Sequence, residues 1–437
     1  MSWNEIQFGE IAAFRNGLNF SNKSHGGGCK IIGIPDFGDR SIPDYESLGE
    51  INPDGIVKNE DYLKQGDIIF VRSNGNKNLV GRSLFISSDN FKLVYSGFCI
   101  RARITSNHAV PRFYSYFFKT PLFRRLVSGA AGGANIQNLN QGILSRAIIP
   151  LPSLSIQHKI VSILSAYDNL IDNNLKRIKL LEELAQRTYE EWFVKFRVNG
   201  TQLDLNMETG LPHGWERKRT DEFCNFLNGY AYYTKGYSDS GYTVLDLGNI
   251  GMNSDLVISG KEKFIDDQLY AQTKKFHLNK YDVIIAMTDI TSALAILAKT
   301  AIVDENNKYV LNQRVGCIRA KNKEFDYSVL YALFNDSRFI AKMKAVSKGA
   351  VQFYFNTKDI VEYIHILPSH DFITDFIKVY RPYLELRSNL KSQISILRQS
   401  RDTLLPRLMS GVIDVEKVKE ETFAMAADPN LHHSVKK

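Results

Sequence analysis

The 437-residue chain carries a formal net charge of +8, with 44% hydrophobic and 23% charged residues, enough apolar material for at least two cores in an ordinary soluble globular protein. Its most apolar stretch, Val283 to Val303, is broken by Asp289 and Lys299, which excludes a membrane span. Cys29, Cys99, Cys224 and Cys317 lie far apart, with no Cys-x-x-Cys pair and no histidine at ligand spacing, so they read as buried free thiols rather than disulfides or a zinc site. No cofactor is expected. Met1 to Glu10 lacks the basic-then-apolar run of a signal peptide, so the chain is expected in the cytoplasm, with no membrane partner.

In chain order, residues 1–155 read as a mixed α and β segment, with a β-branched strand at Ile68–Val71, Gly/Asn-rich turns and an aromatic helical patch from Phe113 to Leu126. Leu151-Pro152 stops it. A heptad pattern follows in residues 156–198: Ile160, Leu164, Tyr167, Ile171, Asn174, Ile178, Leu181, Ala185, Thr188 and Trp192, spaced alternately by four and three. That spacing predicts a long helix with a narrow coiled-coil seam; an ordinary pair of core helices is the competing reading. Residues 199–370 repeat the mixed segment, with a strand at Val283–Ala286 and a helical patch from Tyr327 to Met343. The second heptad run, in residues 371–415, is Phe376, Tyr380, Tyr383, Arg387, Leu390, Ile394, Leu397, Arg401 and Leu404, each 216 residues beyond a member of the first. Pro382 should kink that helix or restart it. Asn174, Arg387 and Arg401 in the seam are expected to fix register. Residues 416–437 form a tail.

The chain is thus an imperfect duplication. Glu10, Phe14, Asn16 and Gly17 return as Glu222, Phe226, Asn228 and Gly229 at an offset of 212, and Asp67 as Asp282 at 215. Cys99-Ile100-Arg101-Ala102 returns as Cys317-Ile318-Arg319-Ala320 at 218, and Gly133-Ala134 and Asn140 as Gly349-Ala350 and Asn356 at 216. Net charge differs between the halves, +5 in residues 1–155 and zero in 199–370, so a polyanion held by the second half would need a local basic patch.

These residues resemble the specificity (HsdS) subunits of type I restriction-modification systems. The resemblance is strongest in Ile149-Pro150-Leu151-Pro152, in Gln157-His158-Lys159-Ile160 and in the run from Gln186 to Arg197, which is similar to that family's central conserved region. Leu211-Pro212-His213-Gly214-Trp215-Glu216 resembles the opening of its second recognition domain, and Asp67 to Ser73 with Gly81-Arg82 a segment of its first. The resemblance implies an α+β fold with two tandem target-recognition domains separated by two long conserved helices that form an antiparallel coiled coil. It implies a non-catalytic subunit that reads a bipartite target in double-stranded DNA and assembles with two modification (methyltransferase) subunits, and with restriction/translocase subunits in the full complex. In the second half His365-Ile366-Leu367-Pro368 replaces Ile149-Pro150-Leu151-Pro152, and the tail beyond Val415 matches nothing in the family.

Reading DNA takes side chains with paired donors and acceptors for base edges, while Lys, Arg, Ser and backbone amides hold phosphates. Arg72, Ser73, Asn74, Asn76, Lys77 and Asn78 supply both kinds after a strand, with a solvated turn as the competing reading. Arg82 belongs to the family-like segment, and Asn135, Gln137 and Asn138 lie on the Gly-rich stretch Gly129–Gln141, a flexible loop in the plainer reading. In the second half the candidates are Tyr230, Tyr232, Tyr233 and Lys235, whose rings could equally be core, and Lys348, Gln352 and Tyr354. Asp289, between Thr288 and Thr291, could accept from cytosine, but a turn cap is the favoured role. No phosphate-binding Gly-x-x-x-x-Gly-Lys-Ser/Thr loop, no Pro-Pro pair for an amino-methyltransferase motif and no nuclease-like carboxylate set occurs. A scaffold that binds peptides rather than DNA, and an undetected DNA enzyme, are the alternatives.

Overall fold

In a computed structural model that describes residues 3–20, 24–38, 41–73, 79–130, 138–233, 236–350 and 352–417, the chain divides into two units, Met1–Leu175 with Lys391–Lys437, and Lys176–Leu390. The first unit contains β1 (Asn4–Gln7), β2 (Ala12–Asn16), β3 (His25–Ile32), β4 (Gly49–Ile51), β5 (Ile68–Val71), β6 (Ser83–Phe85), β7 (Leu93–Tyr95), β8 (Cys99–Ile104) and β9 (Ile148–Leu151). Strands β2-β8-β5-β6 form an antiparallel sheet, β4-β3-β7 a second sheet with β3 and β7 parallel, and β1 pairs antiparallel with β9. Because successive strand residues face opposite ways, the apolar run of β5 feeds two cores: Ile68 and Phe70 join Phe113, Tyr114 and Phe117, while Ile69 and Val71 join Ile32, Leu84 and Tyr95.

The second unit repeats this plan. After a short hairpin of β10 (Arg197–Val198) and β11 (Thr201–Gln202) come β12 (Glu216–Arg219), β13 (Cys224–Asn228), β14 (Tyr242–Leu245), β15 (Lys263–Ile265), β16 (Val283–Ala286), β17 (Thr288–Asp289), β18 (Thr300–Ile302), β19 (Tyr309–Leu311), β20 (Val315–Ala320), β21 (Phe353–Tyr354) and β22 (Ile364–Leu367). The sheets are β13-β20-β16-β18 and β15-β14-β19, with β12 against β22. Val283 and Ile285 of β16 face one cluster, and Ile284 and Ala286 another.

The shared register corrects one sequence match. Asn16 lies opposite Ile100, and Asn228 opposite Gly316, so β8 and β20 correspond at an offset of 216 and not the 218 that the repeated Cys-Ile-Arg-Ala gave. Arg103, not Arg101, is the counterpart of Arg319: Arg103 donates to Asp67 at 2.7 Å and to the Tyr62 carbonyl, and Arg319 to Asp282 at 2.8 Å and to the His277 carbonyl. A slip of two residues leaves every side chain on its own face, which is why the text match was misleading. Gly17 and Gly229 do match at 212, for a steric reason: a Cβ there would lie 2.2 Å from the Ser96 carbonyl oxygen or 1.9 Å from that of Asn312.

Two long helices run through both units. The first is Leu154–Tyr189, extended by a π-helical turn at Glu190–Val194, and the second is His370–Met409. Within the first unit Asp168 meets Arg401 at 2.9 Å and Asn174 meets Gln393 at 3.2 Å; within the second, Glu182 meets Arg387 at 3.4 Å and the rings of Trp192 and Phe376 lie 5.7 Å apart. Numbers rising on one helix and falling on the other define an antiparallel pair. Ile160, Leu164, Tyr167, Ile171, Asn174, Ile178, Ala185 and Trp192 are buried, as are Phe376, Tyr380, Leu390, Ile394 and Leu397. Leu181, Thr188, Tyr383 and Leu404 are only half-buried, and Tyr189, Leu384 and Leu405 take the buried places beside the last three. The second helix neither ends nor restarts at Pro382. That residue and Lys378, whose carbonyl the proline ring deprives of a donor, are both exposed, so water can take up the vacancy.

All four cysteines are buried free thiols. Among the described residues no helix is long and apolar enough to cross a membrane, and no cluster of His, Cys, Asp and Glu could hold a metal.

Candidate nucleic-acid interface

Some of the candidate residues lie beside the ends of β5 and β16, Arg72, Ser73 and Asn138 in the first unit and Lys348, Gln352 and Tyr354 in the second. In the first, the chain leaving β5 is gripped from two sides: the Arg72 amide donates to the Phe98 carbonyl at 2.7 Å, and the Arg72 carbonyl accepts the Leu139 amide at 2.8 Å. Ser73 then pairs antiparallel with Asn138. Arg72 and Ser73 are half-buried and Asn138 is exposed. Asn74, Asn76, Lys77, Asn78, Asn135 and Gln137 lie outside the described residues. The stretch from Gly129 is not all loop: a helix runs over Pro121–Ala130, and Asn140 caps the helix Gln141–Arg146 by accepting the Ile143 amide at 2.9 Å.

Arg82 takes a different direction. Its guanidinium donates to the Gly38 carbonyl at 2.7 Å and lines a cavity of about 600 Å³ with Lys119 and Arg124, which Arg72, Ser73 and Asn138 do not line. Burial pushes the Lys119 ammonium down to about 8 and, with Arg82 nearby, lowers the pKa of Arg124.

In the second unit the same ladder is longer. Thr288 lies opposite Tyr354 and Asp289 opposite Phe353, and Lys348 pairs with Tyr354 across a turn in which Gly349 has φ +113°. Lys348 and Tyr354 are exposed and Gln352, in the turn between them, is half-buried. Asp289 is a cap: it accepts the Thr291 amide and hydroxyl at 2.8 Å and the Ile296 amide at 2.9 Å. Burial alone would raise its pKa, but these donors with the Leu297 amide hold it below the ordinary carboxylate range.

The tyrosine cluster divides. Tyr233 is 75% exposed and Tyr230 37%, whereas Tyr232 is only 7% exposed and packs with Val244, Ile265 and Val310. Tyr232 is therefore a core residue and not a DNA contact: its amide donates back to the Tyr230 carbonyl at 3.1 Å, a tight turn that folds the ring onto the β14–β19 sheet. Lys235 lies outside the described residues. Tyr233 lines an open cavity of about 540 Å³ with Asp246, Lys263, Ile290, Gln313 and Arg314.

Phe98, Ile290, Gln313 and Arg314, all exposed beside the ladders, were not legible in the sequence. The pairing of Gly97-Phe98 with Gln313-Arg314 at 216 could have found all but Ile290, but the identical Cys-Ile-Arg-Ala stretch sets the match two residues aside.

Comparison with known proteins agrees with this duplicated plan. A family model described as type I restriction modification DNA specificity domain matches residues 1–183 and again 212–394. The chain is 26% identical over 341 residues, 72% of each chain, to the type I restriction enzyme MjaIX specificity subunit of Methanocaldococcus jannaschii, and 21% identical over 369 residues, 83% of each, to the MjaVIII specificity subunit of the same organism. The crystal structure of the type I restriction-modification S subunit from M. genitalium shares the fold, with a TM-score of 0.58 at 15% identity over 93% of this chain and 96% of that one.

Proposed function

The chain belongs to the type I restriction modification DNA specificity family, and on that premise we propose that it is the non-catalytic DNA-reading subunit of a cytoplasmic restriction-modification complex. Each recognition domain reads one half of a bipartite double-stranded target. The antiparallel helix pair sets the distance between the halves and docks two modification subunits, with restriction/translocase subunits joining in the full complex. The observation that carries the reading is the duplicated ladder, Ser73 with Asn138 and Thr288 with Tyr354, at equivalent ends of equivalent sheets. Backbone bonds hold each ladder, Leu139 to the Arg72 carbonyl at 2.8 Å in the first and Phe355 to the Met287 carbonyl at 3.3 Å in the second, and the side chains beside them are left to face a ligand. Arg72, Ser73 and Asn138 supply the first surface and Tyr230, Tyr233, Lys348, Gln352 and Tyr354 the second, and Asn74, Asn76, Lys77, Asn78, Asn135 and Gln137 in the first half and Lys235 in the second belong to the same proposal. Arg82, in its separate cavity with Lys119 and Arg124, is a further DNA contact in this reading. Arg and Asn suit base edges, and Lys suits phosphates.

The test is methylation mapping across the genome of cells carrying the complete system. A split adenine-methylation motif that disappears when this chain is deleted is expected; a continuous motif, or methylation independent of the chain, would overturn the reading. Exchanging residues 1–150 for those of a relative should change one half of the motif only.

A further inference from the structure

The turn between β7 and β8 and the turn between β19 and β20 repeat bond for bond. In the first, the Gly97 amide donates to the Leu18 carbonyl at 2.7 Å, Cys99 to Ser96 at 2.8 Å, Leu18 to Tyr95 at 3.1 Å and Gly17 to Cys99 at 3.0 Å. In the second, Gln313 donates to Tyr230 at 2.9 Å, Val315 to Asn312 at 3.0 Å, Tyr230 to Leu311 at 2.9 Å and Gly229 to Val315 at 3.2 Å. The apex residue is held in the same way in both. The Phe98 amide donates to Ser96 Oγ at 3.2 Å, and the Arg314 amide to Asn312 Oδ1 at 3.3 Å. Its carbonyl takes the amide that begins the recognition ladder, Arg72 at 2.7 Å or Met287 at 3.1 Å.

What the two turns do not share is the side chain at the apex. Phe98 stands 57% exposed beside Arg72, and Arg314 is exposed beside Tyr233 and Ile290. A rigid backbone repeated in both domains, carrying an apolar ring in one and a guanidinium in the other, has the form of a position where two readers of different half-sites diverge. Resting on the DNA-reading function proposed above, we infer that this apex is a base-reading position in each domain, with Phe98 packing on a thymine methyl and Arg314 donating to guanine O6 and N7 in the major groove. An aromatic ring complements the one apolar group of the major-groove edge, and the guanidinium fork matches the paired acceptors of guanine.

The experiment uses the full chain assembled with its modification subunits and duplexes carrying the mapped motif. Each thymine of the first half-site is replaced in turn by deoxyuridine, which removes only the methyl, and each guanine of the second by 7-deazaguanine, which removes only N7. One deoxyuridine position should weaken the wild-type complex severalfold while leaving F98A indifferent. One 7-deazaguanine position should weaken it roughly 10-fold while leaving R314A indifferent, and R314A should bind the parent duplex roughly 10- to 100-fold more weakly. The inference fails for Phe98 if wild type and F98A respond alike at every thymine, or if that half-site has none. It fails for Arg314 if R314A weakens all sequences equally and lowers the salt dependence, the signature of a phosphate contact. A wild-type complex with no sequence preference at all would overturn the DNA-reading function itself. Thermal melting of both variants checks that the exposed apex residues are not needed for folding.

Discussion

Asp168 on the first long helix and Arg401 on the second meet at 2.9 Å, and the other carboxylate oxygen of Asp168 takes the Tyr116 hydroxyl at 2.6 Å and Arg112 at 2.8 Å. One carboxylate thus ties both helices to the recognition domain of the first unit. The second unit solves the same problem with the opposite sign: Arg387 reaches the Tyr331 hydroxyl at 2.9 Å, the Ser254 carbonyl at 3.1 Å and Glu182.

Asp168→Ala leaves Arg112 without its carboxylate and Arg401 with Asp402 alone. Because Arg401 keeps some contact with water, the expected loss is about 2–3 kcal/mol, at the lower end for a broken buried pair. Tyr116→Phe removes the bond its hydroxyl donates to Asp168 and the one it accepts from Arg112 at 3.1 Å, and should cost about 2 kcal/mol. Urea denaturation of the two variants beside the parent measures both; midpoints equal to the parent's would show that the cluster contributes nothing.

Ile178→Asp puts a carboxylate without a partner into the seam, since Ile178 is buried. A destabilisation of about 3 kcal/mol is expected, against about 1 kcal/mol for Ile178→Val, which only trims a methyl. Normal folding and full DNA binding by the Asp variant would contradict the packing described.

His365 carries a pH prediction. It is buried among Phe223, Phe334, Phe339 and Tyr363, with Nε2 3.2 Å from the Thr220 hydroxyl. Desolvation pushes its pKa down to about 3. The unfolded chain, with an ordinary histidine pKa near 6.5, binds the proton more readily. Its contribution is therefore fully present above pH 6.5 and is lost as pH falls toward 3, at up to about 1.4 kcal/mol per pH unit. Stability measured in urea at pH 7.5 and pH 5 should fall for the parent by about 2 kcal/mol more than for His365→Phe. Parallel losses in both proteins would mean that His365 is not the group responsible.

Lengthening the helix pair by one heptad tests its role as a spacer. Since Glu182 faces Arg387, an insertion after Glu183 must be matched by one after Leu384 to keep the seams opposed. Seven residues add about 10 Å at 1.5 Å per residue, or about three base pairs. Methylation mapping of the double insertion should show a longer gap between half-sites, or no methylation if the complex cannot follow the extra turn of the duplex. Full methylation at the parental spacing would dismiss the helices as a ruler.

The duplication, the heptad seams and the Gly17/Gly229 pair were legible because each reflects a strong local constraint: a repeated burial pattern, a 3.5-residue period, a backbone approached too closely for a Cβ. The failures have equally local causes. At three places the buried stripe steps one residue on, to Tyr189, Leu384 and Leu405, as a helix of 3.6 residues per turn drifts against a 3.5-residue repeat where it leaves the seam to pack on a domain. Tyr232 could not be told from Tyr230 and Tyr233, because only the turn that reverses the chain decides which ring points inward. His365 looked like a departure from the repeat, yet it fills the inward position that Ile149 occupies in the first half: Ile6 lies opposite Ile149 in one strand pair and Lys218 opposite His365 in the other.

Leu405, Leu408, Met409 and Val415 complete the same hydrophobic cluster as Phe8, Ile68 and Phe113. A ribosome delivers these groups roughly 300 residues after Phe113, so at an ordinary elongation rate of about 5–20 residues per second the nascent amino-terminal domain waits on the order of tens of seconds with part of its core uncovered. The second unit, continuous from Lys176 to Leu390, has all its parts before synthesis ends. The domain translated first is therefore the last to be finished, and a stop codon that removes only the final helical turns would unpack the opposite end of the polypeptide.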